Sequence, residues 1–314
     1  MENETPQRGG TAPLVIENFG PARKGDDFSP ESIYLGDRGK DFEKFIQSIL
    51  SIGMSEEYIP YLTTKESLNT YNIAFTSRGA DDINNYEMFE QLGDVSVNKF
   101  IVNYMYKRFP QLRNPNGVDV VAKLKIKYAS KNQLQMLSES LGMWRFITAT
   151  YDERINKKKP LLEDAFESFF GATEWLIDSL VDNTASKGSS KRNMGSYVGV
   201  GYNIIDGILT YLFNKIPISL KYEDLVDAKT RFNEIIAEQK SIIGDVKYDD
   251  EYFNGKHTSR IYRYPPNGGK ELLGTGIGTL KRDAQEHAAS KALETLASRH
   301  EIIKEPPQRF KAFT

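Results

Sequence analysis

Apolar residues recur at helical spacing through the first two thirds of the chain, and that periodicity predicts helices. One begins near Asp41, with Phe42, Phe45, Ile46 and Ile49 on one face. Tyr86–Tyr106 is a long amphipathic stretch, Asn132–Gly142 a second that its glycine can cap, and Leu162–Leu180 a third. Asn183–Gly201 carries Ser186-Lys187-Gly188-Ser189-Ser190-Lys191-Arg192 and reads as a loop or insertion. Tyr202–Ile216 resumes the helical pattern, and Pro217 closes it. After Asp224 the texture changes. Asp227–Glu238 predicts a helix; Gly244–Phe253, Thr258–Tyr264 and Leu272–Ile277 predict strands, with Pro265-Pro266-Asn267-Gly268-Gly269 as a turn. Leu280–Leu296 predicts a closing helix. The expected fold class is α+β and multidomain: an all-α domain at 40–218 and an αβββα domain at 224–300. Residues 1–38, rich in Gly, Pro and charge, read as a flexible tail, and 301–314 as a C-terminal one.

Composition narrows the chemistry. Of 314 residues, 39% are hydrophobic and 27% charged, as in an ordinary globular protein with a real core. There is no cysteine, which excludes disulfides, thiolate nucleophiles and cysteine zinc sites and suits a reducing, intracellular setting. The three histidines, His257, His287 and His300, all lie near the C-terminal end, so chemistry upstream of them must run on other groups. No apolar run approaches the roughly 20 residues that span a membrane. The acidic start Met1-Glu2-Asn3-Glu4 leads into no apolar segment, so neither membrane nor secretory signal is expected. A net charge of −2 gives no global pull toward nucleic acid, but Lys99–Lys131 holds eight Lys/Arg against one Asp, a local +7. That segment reads equally as a solvated helix face. The Lys-, Asn-, Tyr- and Ile-rich composition is similar to that of proteins from AT-rich eukaryotes or large viruses.

Two acidic sets stand out. Glu87, Glu90 and Asp94 are at i, i+3 and i+7; at about 100° per residue they fall within roughly 60° of one helix face. Asp164 and Glu167, at i and i+3, sit among Phe166, Phe169 and Phe170, so their carboxylates lie close to buried surface. Converging carboxylates repel, and desolvating them is costly unless a cation binds among them. Oxygen donors without His or Cys point to Mg²⁺ or Mn²⁺, ions that can activate water and steady a leaving oxygen on phosphate. By spacing alone, the same pairs also fit solvated helix faces.

The residues around these acids resemble ribonuclease III. Tyr86-Glu87-Met88-Phe89-Glu90-Gln91-Leu92-Gly93-Asp94 is similar to that family's Asn-Glu-Arg-Leu-Glu-Phe-Leu-Gly-Asp signature. Ala74-Phe75-Thr76-Ser77 resembles its Ala-Leu-Thr-His segment, and Ala129-Ser130-Lys131-Asn132 with Leu134, Leu137, Leu141 and Gly142 its Val-Ser-Asn helix. Asp164-Ala165-Phe166-Glu167 followed by Gly171-Ala172 falls on its Asp-x-x-Glu-Ala-x-x-Gly-Ala. The resemblance implies that Glu90, Asp94, Asp164 and Glu167 hold Mg²⁺ (or Mn²⁺), with Glu87 as a supporting acid. It implies a homodimer that cuts double-stranded RNA, leaving 5′-phosphate and 3′-hydroxyl ends with short 3′ overhangs. The departures are Gln91 for the usual Phe, Ser77 where His is common, Asp119 as the candidate for a further family acid, and the 183–201 insertion.

The C-terminal part resembles a double-stranded-RNA-binding domain. Asp227-Ala228-Lys229-Thr230-Arg231-Phe232-Asn233-Glu234 looks like its first RNA-touching helix, and Gly255-Lys256-His257 like its Gly-Pro-x-His loop. Gly274–Gly278 followed by Lys281-Arg282-Asp283-Ala284-Gln285 resembles its last strand and basic helix start. Implied RNA contacts are Thr230, Asn233, Glu234, His257, Lys281, Arg282 and Gln285, the last standing where a third lysine is usual. Cations at a helix start sit beside free N–H donors and suit phosphate. Residues 221–300 nevertheless hold 13 Lys/Arg and 13 Asp/Glu, so any grip on RNA is local. Two alternatives stand beside the nuclease: a non-catalytic double-stranded-RNA binder on the same scaffold, in a silencing-suppressor or structural role, and another carboxylate metal enzyme on a helical bundle. Loss of a principal acid would favour the first, and Glu-x-x-His pairs the second; the sequence has neither before residue 257.

Overall fold

The computed structural model describes Ser29, residues 31–187 and 199–299, and Phe310. Most of the N-terminal segment read as a tail, and the Gly188–Val198 core of the expected insertion, lie outside the described residues. By internal contact the described residues group into two compact units: residues up to Val97 with Lys131–Leu209, and Asn98–Ser130 with residues from Thr210 on. The contiguous partition at 218–224 is thus not the one that contact density draws.

The first unit is built on aromatic packing. Helices α1 (Lys40–Leu50) and α2 (Lys65–Ala74) bury Phe42, Ile46, Tyr71 and Ala74. Phe42 meets Phe75 edge-on at 5.4 Å, and Phe45 stacks on Phe146 at 4.3 Å. Helix α3 (Glu87–Arg108) starts in this unit, and its second half belongs to the other. Helices α5 (Lys131–Ser140), α6 (Tyr151–Asn156) and α7 (Lys158–Lys187) complete it, with the start of α8 (Val200–Phe213). Gly142, at φ 77°, follows α5 in the left-handed conformation a C-terminal stop favours.

Helix α7 is buried on nearly every side from Leu161 to Thr173, so it is the axis of the unit. Two of its polar groups there reach α2. Ser168 Oγ donates to the Ala74 carbonyl at 2.5 Å, and Thr173 Oγ1 lies 3.1 Å from Tyr71 Oη. Both bonds tie α7 to α2. The helix also runs to Lys187, so Asn183–Lys187 is helical where a loop was expected. After Gly171 no Gly or Pro interrupts the chain until Gly188, and the helix takes the residues available to it.

Residues 31–38 correct the tail reading. Strand β1 (Ile33–Tyr34) pairs antiparallel with β2 (Ala149–Thr150), and Gly36 N–H donates to Thr148 Oγ1 at 3.0 Å. Arg154 lies 3.8 Å over the Tyr34 ring and 3.9 Å over Trp144, sandwiched between them. These contacts are all long-range and leave no local periodicity to read.

In the second unit Phe100, Tyr104 and Phe213 form one ring cluster, and helix α4 (Gly117–Tyr128) is held by Tyr128 Oη, 3.3 Å from the Pro217 carbonyl it donates to. Short α9 (Tyr222–Leu225) leads into α10 (Ala228–Glu238), capped by Asp227, and α11 (Lys240–Ile243). A three-stranded antiparallel sheet follows in the order β3 (Asp245–Phe253), β4 (Lys256–Tyr264), β5 (Glu271–Gly278), then α12 (Lys281–Ser298). The helix, three-strand, helix order is compatible with the expected αβββα arrangement, with the short α11 added before the sheet. Phe232, Ile235, Ile261, Leu273, Ala288 and Ala292 form its core. Gly274 and Gly276 let α12 lie flat on β5: a Cβ at Gly274 would come within 2.6 Å of Ala292 N. Phe310 is buried against the Tyr222 ring, centroids 5.0 Å apart, so the C-terminal segment is anchored at least there. No helix among the described residues is long and apolar enough to cross a membrane.

Helices α3 and α7 cross through glycine. A Cβ on Gly93 would strike the Glu167 carbonyl, and one on Gly171 would strike the Phe89 carbonyl and sit 2.8 Å from Gly93 N. Gly207, by contrast, is helical with only Gly53 Cα at 3.7 Å. Gly93→Ala and Gly171→Ala are expected to destabilise by about 1–3 kcal/mol or more, despite alanine's better helix propensity. Gly207→Ala is expected to be neutral or to stabilise by up to about 1 kcal/mol. Thermal unfolding of the three variants checks the ranking, and equal melting temperatures would refute the crossing.

Candidate functional site

The glycine crossing sets which side chains meet. With Gly93 against the Glu167 backbone and Gly171 against that of Phe89, Glu90 and Asp94 on α3 face Asp164 and Glu167 on α7. The electrostatics show the encounter directly. Burial first, then Asp94, Glu163, Glu90 and Asp164, push the Glu167 carboxyl up to about 8. Burial, then Asp164, Glu163 and Glu87, push Glu90 up to about 7, with Lys131 pulling the other way. Burial also raises Asp164, against a hydrogen bond from Tyr86. Asp164 thus acts on both Glu90 and Glu167, Asp94 on Glu167, and Glu87 on Glu90 and Asp164. Glu87 and Asp94 are exposed, and Glu87 lies 3.2 Å from Arg78 Nη1.

Four further residues belong to the cluster and did not stand out in the sequence. Tyr86 Oη donates to Asp164 Oδ2 at 2.7 Å, and burial and that carboxylate hold the phenol well above its ordinary range, so it stays a donor. Glu163, buried beside Asp164, pairs with Lys131 Nζ at 2.6 Å. The pair is ionic on the lysine side: its bond to Glu163 raises Lys131, whereas burial pushes Glu163 up against the lysine's pull. Glu153, on α6, receives Ser77 Oγ at 2.7 Å and the Thr150 N–H at 3.1 Å, and its charge reaches Asp164 and Tyr86. Tyr86 and Lys131 lie inside the motifs quoted above, and Glu163 precedes Asp164, but only tertiary contact gives them partners. Ser77, where histidine is common, is fully buried and bonded to Glu153. Asp119 is exposed on α4, in the other unit.

A cation suits this donor set. The acids supply oxygen only, and neutralising protons are what the cluster gathers when no divalent ion is there to do it. As placed, no group of three acids or histidines among the described residues is drawn into a finished cage. Like charges resist closer approach until an ion compensates them.

In the C-terminal part, Asn233 is exposed on α10, while Thr230 is bonded to the capping Asp227 through both N–H and Oγ1, and Glu234 accepts from Tyr222 Oη. His257 packs its ring on Tyr252 at 4.6 Å. Lys281 lies 3.1 Å from Asp250, Arg282 is exposed, and Gln285 bonds Asp250 and Lys229.

Among known proteins, the profile of the Ribonuclease III domain matches residues 87–174, a range that includes all five acids. A protein of Invertebrate iridescent virus 6, provisionally named ribonuclease 3, is 81% identical over 289 residues, 92% of this chain and 98% of that protein. The chain belongs to the ribonuclease III family. As a member it is an endoribonuclease. A similarly named protein of Frog virus 3 (isolate Goorha) is 31% identical over 81% of this chain and 62% of its own length. The ribonuclease 3 of Halalkalibacterium halodurans is 26% identical over 68% of this chain and 72% of its own.

The raised acids give this ribonuclease III a pH signature. Their folded values lie above the ordinary carboxylate value near 4. Their contribution to stability is therefore complete at low pH and is lost as pH rises through the folded values near 7 and 8. In chelator, the melting temperature is expected to fall between about pH 4.5 and 8 and to level off above, and Mg²⁺ or Mn²⁺ should restore it most at the alkaline end. A flat or rising profile, indifferent to either ion, would contradict the site.

Proposed function

We propose that this endoribonuclease hydrolyses double-stranded RNA with Mg²⁺, Mn²⁺ serving in its place, and works as a homodimer whose subunits each cut one strand. The products are 5′-phosphate and 3′-hydroxyl ends with short 3′ overhangs. The observation that carries the reading is the set of carboxylates where α3 crosses α7, with Glu167 buried and Glu90 and Asp164 half-buried, each of the three raised first by burial. Glu90, Asp94, Asp164 and Glu167 would hold the metal, and Glu87 would support them. A bound ion would supply an activated water and stabilise charge on the reacting phosphate. The chain's own groups fix the setting. Tyr86 orients one Asp164 oxygen, Glu163 holds Lys131 beside the acids, and buried phenylalanines keep the inner ends of the carboxylates from bulk water. All four principal acids are present, which favours the nuclease over a non-catalytic binder.

The dimer reading rests on α3. Met88, Leu92 and Val95 are 70%, 43% and 66% exposed at i, i+4 and i+7, an apolar stripe turned to solvent beside the acids. A two-fold pairing of that stripe would bring two acid clusters together. Residues 224–300 are proposed as the double-stranded-RNA-binding domain. The N-terminus of α12 has no side-chain cap, so its N–H groups with Lys281 and Arg282 offer a phosphate seat. Asn233 and His257 would reach 2′-hydroxyls in the shallow minor groove.

Asp94→Asn and Glu167→Gln are each expected to lower Mg²⁺-dependent cleavage of labelled long duplex by more than about 100-fold, with RNA affinity little changed. Near wild-type cutting by either variant would sink the assignment. Light scattering at micromolar concentration should report about twice the monomer mass, and Leu92→Asp with Val95→Asp should return the monomer and abolish double-strand cuts. A wild-type monomer that still makes them would overturn the dimer.

A further inference from the structure

The basic start of α12 is tied to an acid on the neighbouring sheet. In β3, Tyr248 opposes Ile261 of the core, so side-chain alternation turns Asp250 to the helix side as well. Asp250 Oδ2 accepts from Gln285 Nε2 at 2.8 Å and lies 3.1 Å from Lys281 Nζ. Gln285 in turn accepts from Lys229 Nζ at 2.6 Å through Oε1. A glutamine can give one bond and take the other, which a lysine there could not. One carboxylate thereby gathers two lysines, one from each helix of the face. Its side chain is only 18% exposed, whereas that of Lys281 is 60% exposed: the acid is fixed and the lysine reaches down to it. Hydrogen bonds outweigh its burial and hold it ionised. Arg282, next along, is 84% exposed, and its ion-pair partner among the described residues is Asp283 at 3.7 Å.

We infer that Asp250 is an internal competitor for phosphate on the RNA-binding face. It occupies Lys281 and Gln285 and so limits both the affinity of this domain for duplex RNA and the number of phosphates it neutralises. This rests on the RNA-binding role proposed above for residues 281–285. A phosphate at the α12 N-terminus must either draw Lys281 away from Asp250 or sit beside an uncancelled negative charge. Either way the lysine delivers less than a free one. Arg282 gives the domain its unhindered contact. The zero net charge of residues 221–300 is in part this local pairing of a binding cation with its own acid.

The test measures binding of the full chain to two unrelated RNA duplexes without divalent metal, over about 50–200 mM salt. Asp250→Asn keeps the shape and an acceptor for Gln285. It is expected to tighten binding about two- to fivefold. The slope of log affinity against log salt should steepen by somewhat under one unit, equally for both duplexes. Asp250→Thr, suited to a strand, should give the same gain should Asn disturb the sheet. In a Lys281→Ala background the gain should vanish. Unchanged affinity and slope in both Asp250 variants, with Lys281→Ala still weakening wild type, would show that Lys281 grips RNA unhindered. A gain that persists undiminished without Lys281 would show that Asp250 acts by general repulsion and not through this pair. If Lys281→Ala with Arg282→Ala left binding untouched, the RNA-binding reading itself would fall, and this inference with it.

Discussion

Two glycines, Gly93 and Gly171, let α3 and α7 cross with backbone against backbone, and the arrangement of acids follows from that contact. A side chain at either position would need room already taken by a carbonyl, so the helices would part. Glu90 and Asp94 would then lose Asp164 and Glu167 as neighbours. The same crossing fixes the pitch of α7, whose Ser168 and Thr173 bond to α2, and whose aromatic faces fill the core. Close packing of this kind has no soft alternative, because interiors are nearly as dense as crystals. The acids are thus held by the least deformable part of the unit.

That rigidity carries an electrostatic cost. Buried carboxylates cannot move apart to relax their repulsion, and burial itself disfavours their charged forms. The cluster responds in two ways. Protons bind more tightly, which raises Glu90 and Glu167, and Lys131 leans in through Glu163. Tyr86, Ser77 and Glu153 add fixed hydrogen bonds around the rim, so the orientation of Asp164 and Glu153 does not depend on a cation. Its raised carboxyls mark where negative charge is least compensated.

The C-terminal part solves the opposite problem. Its small core of Phe232, Ile261, Leu273 and a run of alanines leaves little area to bury, and glycines in β5 bring α12 close enough to use it. The helix starts are then stitched by charge: Glu286 accepts from the N–H groups of Ala228 and Lys229 at the start of α10, and Asp250 gathers Lys281 and Gln285. Stabilising acids and the cations proposed to face RNA share this surface.

Much of this was legible in the sequence. Helical period placed α1, α3, α5, α7 and α8, alternation and turn residues placed the three strands and their flanking helices, and acid spacing with family motifs picked out Glu90, Asp94, Asp164 and Glu167. Those are local signals, and the elements they describe are long enough to carry a period. The short β1–β2 pair, the Arg154–Tyr34 contact and the buried Phe310 were not legible, because each is made by contacts between distant segments, and Asn183–Lys187 continues α7 where Ser and Lys suggested a loop. The sequence by itself determined which residues are acids, which faces are apolar and which chemistry is excluded by the lack of cysteine and upstream histidine. Only the tertiary structure decided which acids meet, which lysine each carboxylate holds and which hydroxyl turns Asp164, since charge and hydrogen bonding act through space over a few ångströms, a distance that chain separation does not encode.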